Sequence, residues 1–439
     1  MRRTRIVTIP VLFSFLTAFA SSPLWPQRKP APYDPEVPRA ILHDAYDAVK
    51  KNYYDPKYHG LDWEAHFHEY DGKIKSAGSL NQGLTMVAAF LADLNDSHTY
   101  FRPPSRPYKF DYGYRMQVFG DDVFITRIRP GTDAESKVHA GDQVDGVNGM
   151  AVNRANFHNF SYFLNTLSPQ VGTQLALHDA AGEGRQVQVK TKMEARPQVM
   201  DLTQEIDLYK LVREEQNGDH MVRQRYYEMG DAMIWKVPEF FIEDSDVNRF
   251  FGIARKHKSL ILDLRGDPGG LTDTLEHMLG SVFDHDVKIS DRVGKKETKP
   301  QIAKTAGKNA FSGQIIVLVD SQSASAAELF ARVIQLEHRG TVIGDRTSGS
   351  VMEAKGYSYS QGYDTKIFYS FSVTDADLIM ADGKSLEHSG VIPDEVVLPS
   401  AQDLAMGQDP ALARAGALAG VALDPAAAGK LFPFEWMPF

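Results

Sequence analysis

The stretch IIVLVDSQSASAAELFARVIQ, residues 315–335, limits the possible folds of this chain more than any other segment. Ile315 to Val319 form an unbroken apolar, largely β-branched run, which predicts a strand buried on both faces. From Ala326 the period changes. Leu329, Phe330, Val333, Ile334 and Leu336 recur at helical spacing, which predicts a helix. A loop of small residues joins the two, so Ser325 falls at or just before a helix N-terminus. Free backbone N–H groups and the helix dipole favour negative charge there. Such a place suits a nucleophile whose attack creates an oxyanion. It suits a helix N-cap equally, and Ser is a preferred cap. The segment alone leaves both roles open, but it demands a parallel α/β sheet.

Strand and helix alternate around it. MIWKV (233–237), SLILDLRG (259–266), GTVIGD (340–345), 367–373 and 396–398 read as strands, with a helix from Thr272 to Val282. They predict an α/β core over 231–400. Residues 37–105 read as helices, with Ala40, Ile41, Ala45, Val49, Leu84, Val87, Ala88, Leu91 and Leu94 at spacings of three and four. Residues 110–195 are strand-rich, 21–36 a Pro-rich linker, and 196–230 a charged connector. Residues 401–439 form an Ala-rich tail ending in LFPFEWMPF; the pattern leaves open a packed helix or an interaction tail. The whole is an α+β multidomain chain, and 439 residues suffice for two or three domains.

The first 20 residues combine Arg2, Arg3 and Arg5, an apolar run from Ile6 to Phe19 and the small-x-small site Ala18-Phe19-Ala20. This is the pattern of a cleaved signal peptide, so export to the periplasm or the medium is expected. Membrane contact is expected only through that segment if it stays uncleaved. A net charge of −9 without a basic block argues against a nucleic-acid partner. The absence of cysteine removes disulfides, thiolate metal sites and a cysteine nucleophile. His66 and His68 lack metal-ligand spacing, and no P-loop or dinucleotide fingerprint occurs, so no metal and no cofactor is expected.

A serine hydroxyl needs a base, an orienter for the base and an oxyanion hole. Three segments offer them. LNDSHTYF places Ser97 and His98 where the helical region ends. LDLRGDPGG ends a strand in Gly269 and Gly270; one of their N–H groups and that of Ala326 could serve an oxyanion. GKSLEHSGVIPDEVV carries Glu387 in a loop, within possible reach of Ser97 or His98. Each has an ordinary reading too: a satisfied histidine, a strand-to-helix turn, a solvated carboxylate. Asp263 and Arg265 read as structural contacts under the glycine loop.

VFITRIRPGTDAESKVHAGDQVDGVNGMAV (123–152) resembles a PDZ domain of the bacterial protease type. With it, the order SH, LILDLRGDPGG, VDSQSASAAE, GDRTSG and EHSGVIPD resembles the tail-specific and tricorn-type serine peptidase superfamily over roughly residues 37–400. The resemblance implies a crotonase-like β/α spiral core, an N-terminal helical bundle and a PDZ-like domain. It also implies that Ser325 is the nucleophile. One departure matters: in the C-terminal-processing branch a lysine follows the GD strand, and here Ser350 occupies its place. Lys355 lies five residues on, an odd shift that would turn it to the other face of a strand. The tricorn-like branch uses a Ser-His pair, the nucleophile and a late Glu, which Ser97, His98, Ser325 and Glu387 match. The resemblance therefore implies a serine endopeptidase acting on polypeptides through an acyl-enzyme, with His98 as base and a PDZ-like domain able to take a peptide C-terminus; the N-terminal segment adds the expectation of export. Two alternatives stay open: a peptide-binding protein without catalysis, and a Ser-Lys dyad through Lys355.

Overall fold

The computed structural model describes residues 34–195, 225–362 and 366–436. The signal-peptide reading of 1–20, the linker up to residue 33, the connector over 196–224 and the last three residues lie outside the described residues.

The core is a six-stranded sheet. Ala232–Lys236, Ser259–Asp263, Gln314–Val319, Gly340–Gly344 and Glu395–Val396 run parallel in that order, and Arg225–Met229 pairs antiparallel at the edge. The apolar runs are continuous because both faces are covered. Trp235, Leu262, Val317, Val319 and Val342 point to one face, where the helices Asp244–Ala254, Thr272–Gly280 and Ala326–Leu336 supply the rest of the core. Ile234, Ile261, Ile316, Leu318 and Ile343 point to the other face, which is closed by Ala411, Leu412 and Ala415 of the helix Pro410–Leu418. So much of the Ala-rich tail is structural. Its small residues let a helix lie close to the sheet, and each buried Leu or Ile there contributes roughly 1.5–3 kcal/mol.

A second sheet carries the remaining site segments. Its spine is the 14-residue strand Ile367–Met380. One side pairs with Met352–Gln361; the other pairs with Tyr100–Arg102 and then with Val287–Gly294, which in turn pairs with Thr298–Ala303. The spine strand runs beyond the expected 367–373. The strands over 287–303 carry no expectation at all, because segments such as KISDRVGKKETKP alternate polar residues on an exposed antiparallel face. The helices Glu36–Asn52, Trp63–Lys75 and Leu80–Ala92 pack their apolar stripes on Phe101, Phe371 and Val373 of this sheet.

Residues 108–195 form a separate β-rich unit. Tyr114–Phe119, Asp122–Ile128, Gln143–Val147, Gly172–His178 and Gly184–Lys190 make an antiparallel sheet around Val123, Ile125, Val144, Leu175 and Val189. The helix Arg154–Tyr162 lies against it. Entry and exit are zipped together by Tyr108–Asp111 and Lys192–Ala195. No helix among the described residues is long and apolar enough to cross a membrane.

Candidate active site

Ser325 sits between the strand Gln314–Val319 and the helix Ala326–Leu336 in a conformation that L-residues avoid, φ 53° and ψ −116°. Such a backbone costs on the order of 1–3 kcal/mol and persists only where its surroundings hold it. Two partners do so. The Ser325 N–H donates to the Ser350 carbonyl at 2.9 Å and to the Glu328 carboxylate at 3.0 Å. Glu328 is fully buried and also accepts from Thr347 Oγ1 and from the N–H groups of Gly349 and Ser350, at 2.5–3.0 Å. Burial nevertheless pushes its pKa up to about 7. One carboxyl thus ties the Ser325 turn to the 347–350 segment.

The glycine loop lies against the same turn. A Cβ on Gly269 would stand 2.7 Å from the Ser325 Cβ, and Gly269 has φ 93°. Only glycine allows this approach. Its N–H donates to Asp267 Oδ1 at 2.8 Å. The N–H groups of Gly270 and Ala326 make no hydrogen bond among the described residues. Asp320 braces the base of the loop, accepting from the N–H groups of Gly266, Gln322 and Ser323 at 2.9–3.1 Å.

Ser97 and His98 lie in the turn before Tyr100–Arg102. Asp96 fixes that turn, accepting from the N–H groups of His98 and Thr99 at 3.0 and 2.7 Å, from Thr374 Oγ1 and from the Tyr53 hydroxyl. Glu387 arrives from the loop after Met380. It accepts from the Ser97 N–H at 2.6 Å, from Ser97 Oγ at 2.8 Å and from the Val351 N–H at 2.9 Å. Ser97 Oγ also lies 2.7 Å from His98 Nδ1. A hydroxyl has one proton to give. If Ser97 donates it to Glu387, Nδ1 must carry a hydrogen and donate to Ser97, which leaves the Nε2 lone pair for a base role. Burial lowers the pKa of His98, against the pull of Asp96, so the ring is held towards its neutral form. Burial raises that of Glu387, and the hydrogen bonds it accepts oppose this.

Ser97, His98 and Glu387 are therefore one hydrogen-bonded group, linked through Val351 and Ser350 to Ser325. No hydrogen bond joins His98 to Ser325 among the described residues. Such bonds often tighten only with substrate bound. Lys355 stands elsewhere. It is 63% exposed and ion-paired with Asp375 at 2.6 Å, and that hydrogen bond raises its pKa, so the amine is protonated. Among the described residues no cluster of His, Asp and Glu could hold a metal ion.

Glu328, Asp96 and Asp267 were given no role by the residue pattern. Glu328 had a signal: Ser325 to Glu328 is S-x-x-E, the spacing of a capping box. The other two read as polar loop residues, because their partners are distant in sequence or are backbone groups.

Comparison with known proteins finds two family models that match parts of the chain. The model described as Peptidase family S41 matches residues 232–397, and that of the Tricorn protease C1 domain matches 34–80. The Tail-specific protease of Haemophilus influenzae is 24% identical over 322 residues, 68% of this chain and 43% of that protein. Tricorn protease homolog 2 of Streptomyces coelicolor is 24% identical over 405 residues, 87% of this chain and 32% of that protein. The chain thus spans less than half the length of these relatives. Mature CPAF complexed with lactacystin shares the fold with a TM-score of 0.62 at 14% identity, over 84% of this chain and 95% of that one. The photosystem II D1 C-terminal processing protease does so with a TM-score of 0.50 at 19% identity, over 90% and 99%.

Proposed function

The chain belongs to the tail-specific and tricorn-type serine peptidase superfamily, and on that footing we propose that it hydrolyses peptide bonds of polypeptides through an acyl-enzyme on Ser325. His98 Nε2 takes the Ser325 proton as Oγ attacks the carbonyl carbon. The N–H groups of Ala326 and Gly270 receive the oxyanion, and Gly269 makes room for it. The C–N bond breaks as the imidazolium returns its proton to the leaving amine. Water then attacks the acyl carbon as His98 takes its proton, and the C–Oγ bond breaks as the imidazolium returns that proton to Ser325 Oγ, releasing a carboxylic acid. Ser97 and Glu387 hold the ring in the required tautomer and stabilise its charged form.

The observation that carries this reading is the Glu387–Ser97–His98 relay at 2.8 and 2.7 Å. It orients a half-buried imidazole through a carboxylate and a hydroxyl, which leaves Nε2 for a base role. The same observation favours His98 over Lys355, which is exposed and paired. We read the β-rich unit as a PDZ-like module that adds an extended peptide to the edge strand Tyr114–Phe119, which has a single neighbour in its sheet. Export is the reading of residues 1–20 and extends to the mature enzyme.

The test is turnover of an unfolded polypeptide by Ser325→Ala and His98→Ala. Each variant is expected to lose at least about 10³-fold in kcat/KM, the scale on which triad members act. Activity surviving in His98→Ala and vanishing in Lys355→Met would reassign the base. Because His98 is held neutral, the acid limb of kcat/KM is expected below the ordinary imidazole value of about 6.5. A limb above that value contradicts the assignment.

A further inference from the structure

A cavity of about 870 Å³ opens between the β-rich unit, the core and the C-terminal segment. Tyr114, Met116 and Gln117 of the edge strand line one wall, and Phe157, Ser161 and Leu164 another. Phe432–Glu435 line it as well.

The strands lining this cavity carry an unusual charge arrangement. Arg115 and Arg127 stand directly opposite each other across the ladder. Like charges in that position destabilise a sheet pair. Arg129 follows two residues on, on the same face, with Asp111 beside it at 2.6 Å. A cationic face of this kind is out of keeping with a chain of net charge −9.

The C-terminal segment answers it group by group. The Phe434 ring lies 5.8 Å from the Arg127 guanidinium. The Trp436 ring lies 4.5 Å from that of Arg129 and 5.8 Å from that of Arg115. Arg225, on the edge strand of the core sheet, donates to the Pro433 carbonyl at 3.0 Å and pairs with the Glu435 carboxylate at 2.5 Å. Rings over guanidinium groups contribute about 0.5–1 kcal/mol each at exposed sites. Phe434 remains 46% exposed. The hold is therefore specific in chemistry and weak in total, unlike that of Leu431 and Phe432, which pack on the core.

We propose that this arginine face is a recognition surface for peptide segments presenting aromatic rings beside a carboxylate, and that Phe434, Glu435 and Trp436 of this chain are its resident, displaceable occupant. A substrate of that character competes with the segment and gains entry to the cavity beside the edge strand. The inference deepens the reading of the β-rich unit as the substrate-holding module, and it is testable by binding alone.

The experiment uses the full chain carrying Ser325→Ala, so that nothing is cleaved. The probe is a fluorescein-labelled, C-terminally amidated peptide of sequence LFPFEW, read by fluorescence anisotropy. A tethered competitor acts at an effective concentration of order millimolar, so a peptide with an intrinsic Kd near 100 µM would gain about tenfold when the tether is vacated. The triple variant Phe434→Ala, Glu435→Ala, Trp436→Ala is expected to bind the probe about tenfold more tightly than the intact tail. Arg115→Gln and Arg127→Gln, made singly in that background, each reverse at least half of the gain, with unchanged thermal melting as the check on folding. A probe with Lys in place of Glu, or with Ala in place of the rings that correspond to Phe434 and Trp436, binds at least tenfold more weakly. Equal affinity with the tail intact and substituted overturns the proposal, as does binding indifferent to both arginines. Peptide turnover is measured separately on the chain with Ser325 intact. Absent turnover with the expected binding overturns the hydrolytic reading and leaves this one standing.

Discussion

Asp267 is a carboxyl with no good place for its charge. It is fully buried, its Oδ1 holds the Gly269 N–H, and its Oδ2 has no partner among the described residues. Burial pushes its pKa up to about 8. In an unfolded chain it ionises near 4. Between those values the folded state keeps a proton that the unfolded state has lost. The stabilisation is full below pH 4 and is lost as pH rises through about 8. Asp267→Asn keeps an acceptor for Gly269 and removes the ionisation. The melting temperature of the unaltered protein is expected to fall more steeply from pH 5 to pH 9 than that of Asp267→Asn. Parallel curves would contradict the account. At this scale the sequence made Ser325, Ser97, His98 and Glu387 legible, since their segments come in a telling order. It hid Asp267 and Asp96, whose significance is a burial and a set of backbone donors that no local pattern reports.

The element that matters most is the strand–loop–helix turn around Ser325, and its tightest contact comes from another loop. Gly269 approaches Ser325 so closely that a methyl group would meet its Cβ at 2.7 Å and the Ala326 nitrogen at 2.9 Å. Gly269→Ala must push the glycine loop away or rotate Ser325, and it also strains a positive φ. We expect kcat/KM for peptide cleavage to fall at least about 100-fold, as atomic misplacement in a site can do. The core sheet should stay folded, because its strands are held independently by both faces. A variant with unaltered kinetics would mean the loop is not part of the site. Core strands and the helix Ala326–Leu336 were readable from their apolar periods. The sheet that carries Glu387 was only half readable. Its strands are long, antiparallel and polar on one side, so tertiary pairing defines them more than composition does.

Across the whole molecule, the β-rich unit is tied to the loop before Ser325 and to Asp345 rather than merely tethered to the core. Gln117 donates to Asp320 at 2.7 Å, Ser321 Oγ to the Val118 carbonyl at 2.6 Å, and Arg154 to Asp345 at 2.5 Å. Asp345 also accepts from the Gly120 N–H at 3.0 Å. Arg154→Ala leaves the buried Asp345 carboxylate with one partner fewer, a change that costs about 1–3 kcal/mol. The expected outcome is a lower melting temperature and a larger loss of kcat/KM on a polypeptide than on a small activated ester. Equal losses on both would separate the β-rich unit from substrate handling. No reading of separate segments could supply these ties, which join residues some 190 to 225 positions apart.

The central claim is that His98 activates Ser325. The most direct measurement is the rate of covalent labelling by a fluorophosphonate, followed by intact mass and peptide mapping. The account predicts one adduct, on Ser325, with none in Ser325→Ala and labelling slowed at least about 100-fold in His98→Ala, since general-base catalysis contributes roughly 10²–10⁴-fold. An adduct on another residue, or His98→Ala labelled as fast as the unaltered protein, would contradict it.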